Sequence, residues 1–154
     1  MSISDGFGIF SDEYFMRKAL QEAQLAFEED EVPIGAVVVA ENKVIGRGHN
    51  QVERLRDATA HAEMLAITAA SDYLGSKFLT ECTIFVTVEP CAMCAGALRW
   101  VRAKRIVFGA SEPKFGYRCY SENLVHPKTE IVTGVMADEC TALMRTFFQS
   151  RRED

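Results

Sequence analysis

Strand-like and helix-like segments alternate along the 154 residues, which predicts an α/β fold: a three-layer α/β/α sandwich around a central mixed sheet of about five strands. Two observations support that class. The length suits a single domain over residues 1–154, large enough to bury a core and too short for two comfortable ones. At 48% hydrophobic and 25% charged residues, with no repeat, linker or low-complexity tract, the composition is that of a soluble globular chain.

The elements follow in order. Ser11 to Glu29 reads as an amphipathic helix: Ser11 can cap it, Asp12 and Glu13 suit its first turn, and Phe15, Ala19, Leu20, Ala23, Ala26 and Phe27 form one stripe. Ile34 to Ala40 is a buried strand, Glu41-Asn42-Lys43 turns, and Val44 to His49 returns as the second arm of a hairpin. Gly46 and Gly48 are expected to loosen that arm ahead of Asn50, where backbone and ligand would approach closely. Ala60 to Ser71 forms a helix that Leu74-Gly75 stops. Thr83 to Val88 is β-branched and aromatic with little alternation, as in a strand covered on both faces. Arg105 to Ala110 and Thr129 to Val135 supply two more strands, and Asp138 to Arg151 a final helix.

Chemistry concentrates where the Thr83–Val88 strand ends, at Glu89-Pro90-Cys91-Ala92-Met93-Cys94. Pro90 suits a first helical position, which places Cys91 and Cys94 in the first turn, three apart and on one face. A helix N-terminus favours anions and so helps to hold both sulfurs as thiolates, the form that binds metal. Upstream, His61-Ala62-Glu63 offers an imidazole with a carboxylate two positions later. One His and two Cys leave tetrahedral zinc an open fourth position, the pattern of catalytic rather than structural sites, where zinc lowers the pKa of water from about 15.7 to about 7. Glu63 is then the proton carrier, and the pattern reads as hydrolytic deamination with one zinc per chain. A redox C-x-x-C or half of a structural zinc site is the competing reading of the two cysteines alone.

Charge is unevenly placed. The net charge of −5 argues against a generic nucleic-acid binder, yet Ala97 to Lys128 carries seven Lys and Arg against only Glu112 and Glu122, while acidic residues dominate the first forty. That basic stretch, with Arg145, Arg151 and Arg152 of the last helix, would grip a polyanion if these residues share a face. Cys82, Cys119 and Cys140 show no disulfide framework and are expected to be reduced. Neither a signal peptide nor an apolar run of membrane-spanning length is visible, so a cytoplasmic enzyme without a membrane partner is expected. His49 reads as a structural or surface residue, and Asp57 as an organiser of the loop entering the His61 helix. The Cys91 to Val101 helix is apolar nearly all round, which its own sheet cannot satisfy, so a homodimer built around Cys91 to Arg105 is expected.

His61-x-Glu63 followed by Pro90-Cys91-x-x-Cys94 is the signature of zinc nucleobase deaminases. With Glu31-Val32-Pro33-Ile34-Gly35-Ala36-Val37, Gly48-x-Asn50, Val107-Phe108-Gly109-Ala110, Ala137-Asp138-Glu139-Cys140 and Phe147-Phe148, the chain resembles the bacterial tRNA adenosine deaminases from Glu31 to Arg152. The resemblance implies a cytidine deaminase-like fold, zinc held by His61, Cys91 and Cys94, catalysis by Glu63, and substrate contacts from Asn50 and Ala62. It also implies the partner and reaction: a tRNA anticodon stem-loop, with adenosine converted to inosine at the wobble position. Ala58 replaces a frequent family Pro. More consequentially, Phe115-Gly116-Tyr117-Arg118-Cys119-Tyr120-Ser121 replaces a small-residue segment that flanks the substrate in the family. Those aromatic side chains suit stacking on RNA bases or closing a small pocket, so deamination of a free base or nucleoside (guanine, cytosine or cytidine) is the alternative reading. A structural zinc in an RNA-binding module is a third, against which Glu63 counts.

Overall fold

The computed structural model describes residues 9–152, with the side chain of Arg152 outside the description. Five strands lie in the order β2-β1-β3-β4-β5: β1 (Gly35–Ala40), β2 (Lys43–His49), β3 (Thr83–Val88), β4 (Arg105–Ala110) and β5 (Glu130–Thr133). β1 is antiparallel to β2 and β3, whereas β3, β4 and β5 run parallel, so the sheet is mixed as expected. Because successive strand residues face opposite ways, β3 and β4 bury both sets: Ile84, Val86, Ile106 and Phe108 in one cluster, Phe85 and Val107 in the other.

Five helices complete the layers: α1 (Asp12–Glu28), α2 (Val52–Leu55), α3 (Ala62–Leu74), α4 (Ala92–Trp100) and α5 (Ala137–Arg152). Residues of α1 and α5 share a core cluster with one face of the sheet, and residues of α3 and α4 share one with the other. Ser11 caps α1 by accepting from the Tyr14 N–H at 3.1 Å, and Gly75 ends α3 in the left-handed conformation at φ 63°. β5 is shorter than the expected Thr129–Val135 because Gly134 and Met136 take positive φ and turn the chain into α5.

The glycines of β2 do something other than loosen the strand. A Cβ on Gly48 would stand 2.3 Å from the Ala62 carbonyl oxygen and 2.7 Å from the Ala66 nitrogen, and one on Gly46 would stand 2.5 Å from the Ala66 oxygen. Here the missing side chains let α3 lie directly on the strand, its Ala62, Ala66 and Ala70 fully buried. Gly35 admits α1 to the opposite face in the same way, with the Ala19 oxygen 2.1 Å from its would-be Cβ. Gly48→Ala should therefore cost about 1–3 kcal/mol, read as a lowered urea midpoint at unchanged m-value. Gly96→Ala on α4, whose added Cβ meets no atom of its own chain, should escape that cost within the chain. Equal midpoints for the two variants would refute this account of the contact.

Candidate metal centre and cleft

The ends of α3 and α4 meet over the carboxyl end of β3. His61 is the N-cap of α3 and Cys91 the N-cap of α4, both in extended conformation. Pro90 is consequently not the first helical residue. It lies one position before the cap, on extended chain that an isolated bridge between Cys91 and Gly116 continues past the end of β3. Cys94 is then the third residue of α4, and Glu63 the second of α3. Two helix N-termini thus point their free N–H groups toward one spot, where anionic sulfur and carboxylate are favoured.

His61 Nδ1 lies 3.5 Å from Cys91 Sγ and 3.6 Å from Cys94 Sγ. A tetrahedral zinc with bonds of about 2.3 Å to sulfur and 2.0–2.1 Å to nitrogen requires S···N edges of about 3.6 Å, so the three side chains stand where that ion needs them. All three donor atoms lie within 4.8 Å of one another, and they are the only such group among the described residues. Their soft, deprotonatable character suits zinc. Donation from the Cys94 thiol, with further help from His61, draws Cys91 down to about 4. The same shared proton, and then burial, raises Cys94. His61 is raised as well, chiefly by its contact with the Cys91 sulfur.

Glu63 is 4% exposed, and burial pushes its carboxyl up to about 7. An acid with its pKa near neutrality both gives and takes a proton there, which is the property a general acid-base group requires. Asn50, His61, Ala62, Glu63 and Cys91 all line one cleft of about 1000 Å³, and Cys94 is fully buried beneath them. Asn50 also organises the chain: Oδ1 accepts from the Val52 N–H at 3.1 Å, and Nδ2 donates to the Val32 carbonyl at 3.3 Å. The turn-capping and cleft-lining roles coexist in one side chain, whose second amide hydrogen is left for a ligand.

Two cleft carboxylates carry no recognisable sequence signal. Glu31, 2% exposed, accepts from the Glu53 and Arg54 N–H groups at 3.0 and 2.7 Å and so anchors α2. Glu89, 6% exposed, accepts from the Glu112 and Arg118 N–H groups and from the Arg118 guanidinium at 3.0 Å. These bonds hold the Glu89 carboxyl below the usual range against the opposing effect of burial. In the sequence Glu31 closes an acidic run and Glu89 follows an apolar strand, and only folding shows that both are buried and bind loop N–H groups.

The basic stretch does not form one surface. Arg105 makes a bidentate pair with Asp12, Arg118 is bound to Glu89, and Arg99 donates to the Asn123 carbonyl. Arg99, Arg102, Lys104 and Lys128 line a second groove around Trp100, at the opposite end of α4 from the cysteines. Of the seven bases only Lys114 lines the metal cleft, where Arg151 joins it, while Arg145 lines neither groove. Charges close in sequence were separated because the 111–129 connection wraps around α4. His49 is structural, bridging the carboxylates of Glu22 and Glu29 at 3.3 and 3.1 Å. Asp57 accepts from the Thr59 N–H and hydroxyl in the loop before His61. Cys82, Cys119 and Cys140 are free thiols.

Residues 10–110 match the sequence profile of the cytidine and deoxycytidylate deaminase zinc-binding region. A tRNA-specific adenosine deaminase of Bacillus subtilis (strain 168) is 42% identical over 147 residues, covering 92% of this chain and 91% of that one. One from Streptococcus pyogenes serotype M18 (strain MGAS8232) is 40% identical over 145 residues, covering 91% of each. Among solved structures, one from work on A-to-I editing by tRNA:A34 deaminases at the wobble position superposes with a TM-score of 0.79 at 40% identity, covering 84% of this chain and 98% of that one. A guanine deaminase from Nitrosomonas europaea superposes equally well, at 0.79, but at 27% identity, covering 88% and 83%.

Removing one of three donors leaves zinc with too few protein ligands. Cys91→Ala should lose its metal on dialysis, whereas Glu63→Ala, which removes no donor, should keep about one zinc per chain. Elemental analysis decides the matter. Full zinc in the Cys91 variant would show that the metal is held elsewhere.

Proposed function

The chain belongs to the zinc-dependent cytidine and deoxycytidylate deaminase family and, within it, to the tRNA-specific adenosine deaminases, and on that premise we propose that it hydrolyses adenosine to inosine at the wobble position of tRNA. The observation that carries this reading is the convergence of His61, Cys91 and Cys94 at zinc-bonding separations with buried Glu63 at their side. Zinc held by those three residues supplies the Lewis acidity that makes water a nucleophile at neutral pH. Glu63 takes one proton as water adds to C6 of the base and gives it to N1, then carries the second, from the new C6 hydroxyl, to the amino group, which leaves as ammonia as the C6 carbonyl forms. Burial raises its carboxyl above the usual carboxylate range. Asn50 offers its free amide hydrogen to the nucleoside, and Ala62, at the start of α3, lines the cleft beside it. Lys114 at the cleft wall supplies a phosphate contact, whereas Arg151 beside it is paired with Asp30 at 2.9 Å.

Chemistry alone leaves the substrate open to a free base such as guanine, since the zinc apparatus would be the same. Similarity favours RNA: the tRNA-specific relatives are 40% and 42% identical against 27% for the guanine deaminase, and two exposed aromatic residues, Phe115 and Phe148, line the cleft. Inosine formation and ammonia release, measured across tRNA, its anticodon stem-loop and a panel of free bases and nucleosides, test this directly. Turnover is expected on both RNAs and should fall by at least 100-fold in Glu63→Ala. Turnover on guanine or cytosine with none on RNA would replace this reading by the small-molecule one.

A substrate of this kind places the protein in the cytoplasm, and among the described residues no helix is long and apolar enough to cross a membrane. Assembly into a homodimer is also part of this reading. α4 buries Cys94, Ala95 and Leu98 against the sheet but turns Trp100, 82% exposed, away from it. Burying that ring against a second copy satisfies the helix's outer face. Light scattering at micromolar concentration should give twice the 17.2 kDa chain mass, and a monomer mass would exclude the dimer.

A further inference from the structure

The loop after β4 is where this chain carries aromatic residues, and it is tied to the start of the metal helix. The Glu89 carboxylate receives the Glu112 and Arg118 N–H groups and the Arg118 guanidinium. The Pro90 carbonyl accepts from the Tyr117 N–H at 2.8 Å, and Cys91 forms a bridge with Gly116. A Cβ on Gly116 would stand 2.2 Å from a Glu89 carboxylate oxygen, so the loop lies flush against that residue. Tyr117 fills the core, 3% exposed, edge-on to Phe108. Its neighbour Phe115 does the reverse, lining the metal cleft with 65% of its surface exposed.

A loop strapped at so many points has already lost the freedom that ligand binding would otherwise cost, and exposing a phenyl ring in water is unfavourable unless something covers it. What the metal centre takes is a single base, and the nucleotides on either side of a flipped base are unstacked and present bare π faces. We propose that Phe115 is a specificity-determining residue: its ring, held at the cleft by the loop that Glu89 straps to Cys91, stacks on the base adjacent to the one deaminated. Glu89 is a positioning residue in this arrangement and touches no substrate. The inference rests on the tRNA reading above and adds to it the means by which a flanking nucleotide is held.

The test uses zinc-loaded full-length protein and two anticodon stem-loops, one intact and one with abasic residues flanking the target adenosine. On the intact stem-loop Phe115→Ala should raise KM about tenfold with kcat within twofold, as loss of one base stack does. Phe115→Trp should preserve wild-type KM, and Phe115→Leu, apolar but without a π face, should behave like Ala. Wild type should lose the same factor on the abasic stem-loop, where the Ala variant should match it. Zinc content and melting temperature should not change, since the ring is exposed. Unchanged KM in Phe115→Ala would overturn the inference and leave the function standing, as would the same loss on both stem-loops. Wild type inactive on the intact stem-loop would overturn the functional reading and the inference with it.

Discussion

The contact on which the site depends is the seat of α3 on β2. Helices normally pack on sheets through side chains, which hold the axis about 10 Å away and leave its exact height to rotamers. Here Gly46 and Gly48 present bare backbone to Ala62, Ala66 and Ala70, so main chain sits on main chain and little can adjust. The consequence is felt at the N-terminus of α3, where the residue touching Gly48 is Ala62, flanked by His61 and Glu63. A metal ligand and a proton carrier are therefore placed by an interface that contains no polar side chain. Since a displacement of about 1 Å in such a group can cost 100-fold in rate, a rigid seat for it has functional value.

Buried carboxylates then do two separate jobs, distinguished by their partners. Glu31 and Glu89 accept from backbone N–H donors and, for Glu89, a guanidinium, and so tie loops to the cleft wall. Glu63 accepts from its own backbone N–H and from the Cys94 thiol, which do not offset desolvation, and its carboxyl drifts toward neutrality. Since among the described residues no buried side-chain polar atom lacks a partner, the strength of the donors separates the structural acids from the reactive one. The Glu89 bonds also explain how a loop rich in aromatic residues is held at the cleft. Two are made to backbone N–H groups, which any sequence supplies, and a third to the Arg118 guanidinium.

Much was legible in the chain itself because the signals were local. The alternation of elements, the Ser11 cap, the Gly75 stop and the His61-x-Glu63 and Cys91-x-x-Cys94 spacings each depend on neighbours within a turn or two, and all appear in the fold. Ligand spacing is especially readable, since residues three apart on a helix face the same way whatever surrounds them. What tertiary structure alone decided was every question of what lies opposite. It turned the glycines of β2 from presumed flexibility into a packing surface and moved Pro90 outside its helix. It also divided one basic stretch between ion pairs and two separate grooves, and chose which of many similar acids to bury. Partners such as Glu89 and Arg118, or Gly48 and Ala62, are set by how the sheet and its connections stack, which no short window of sequence contains.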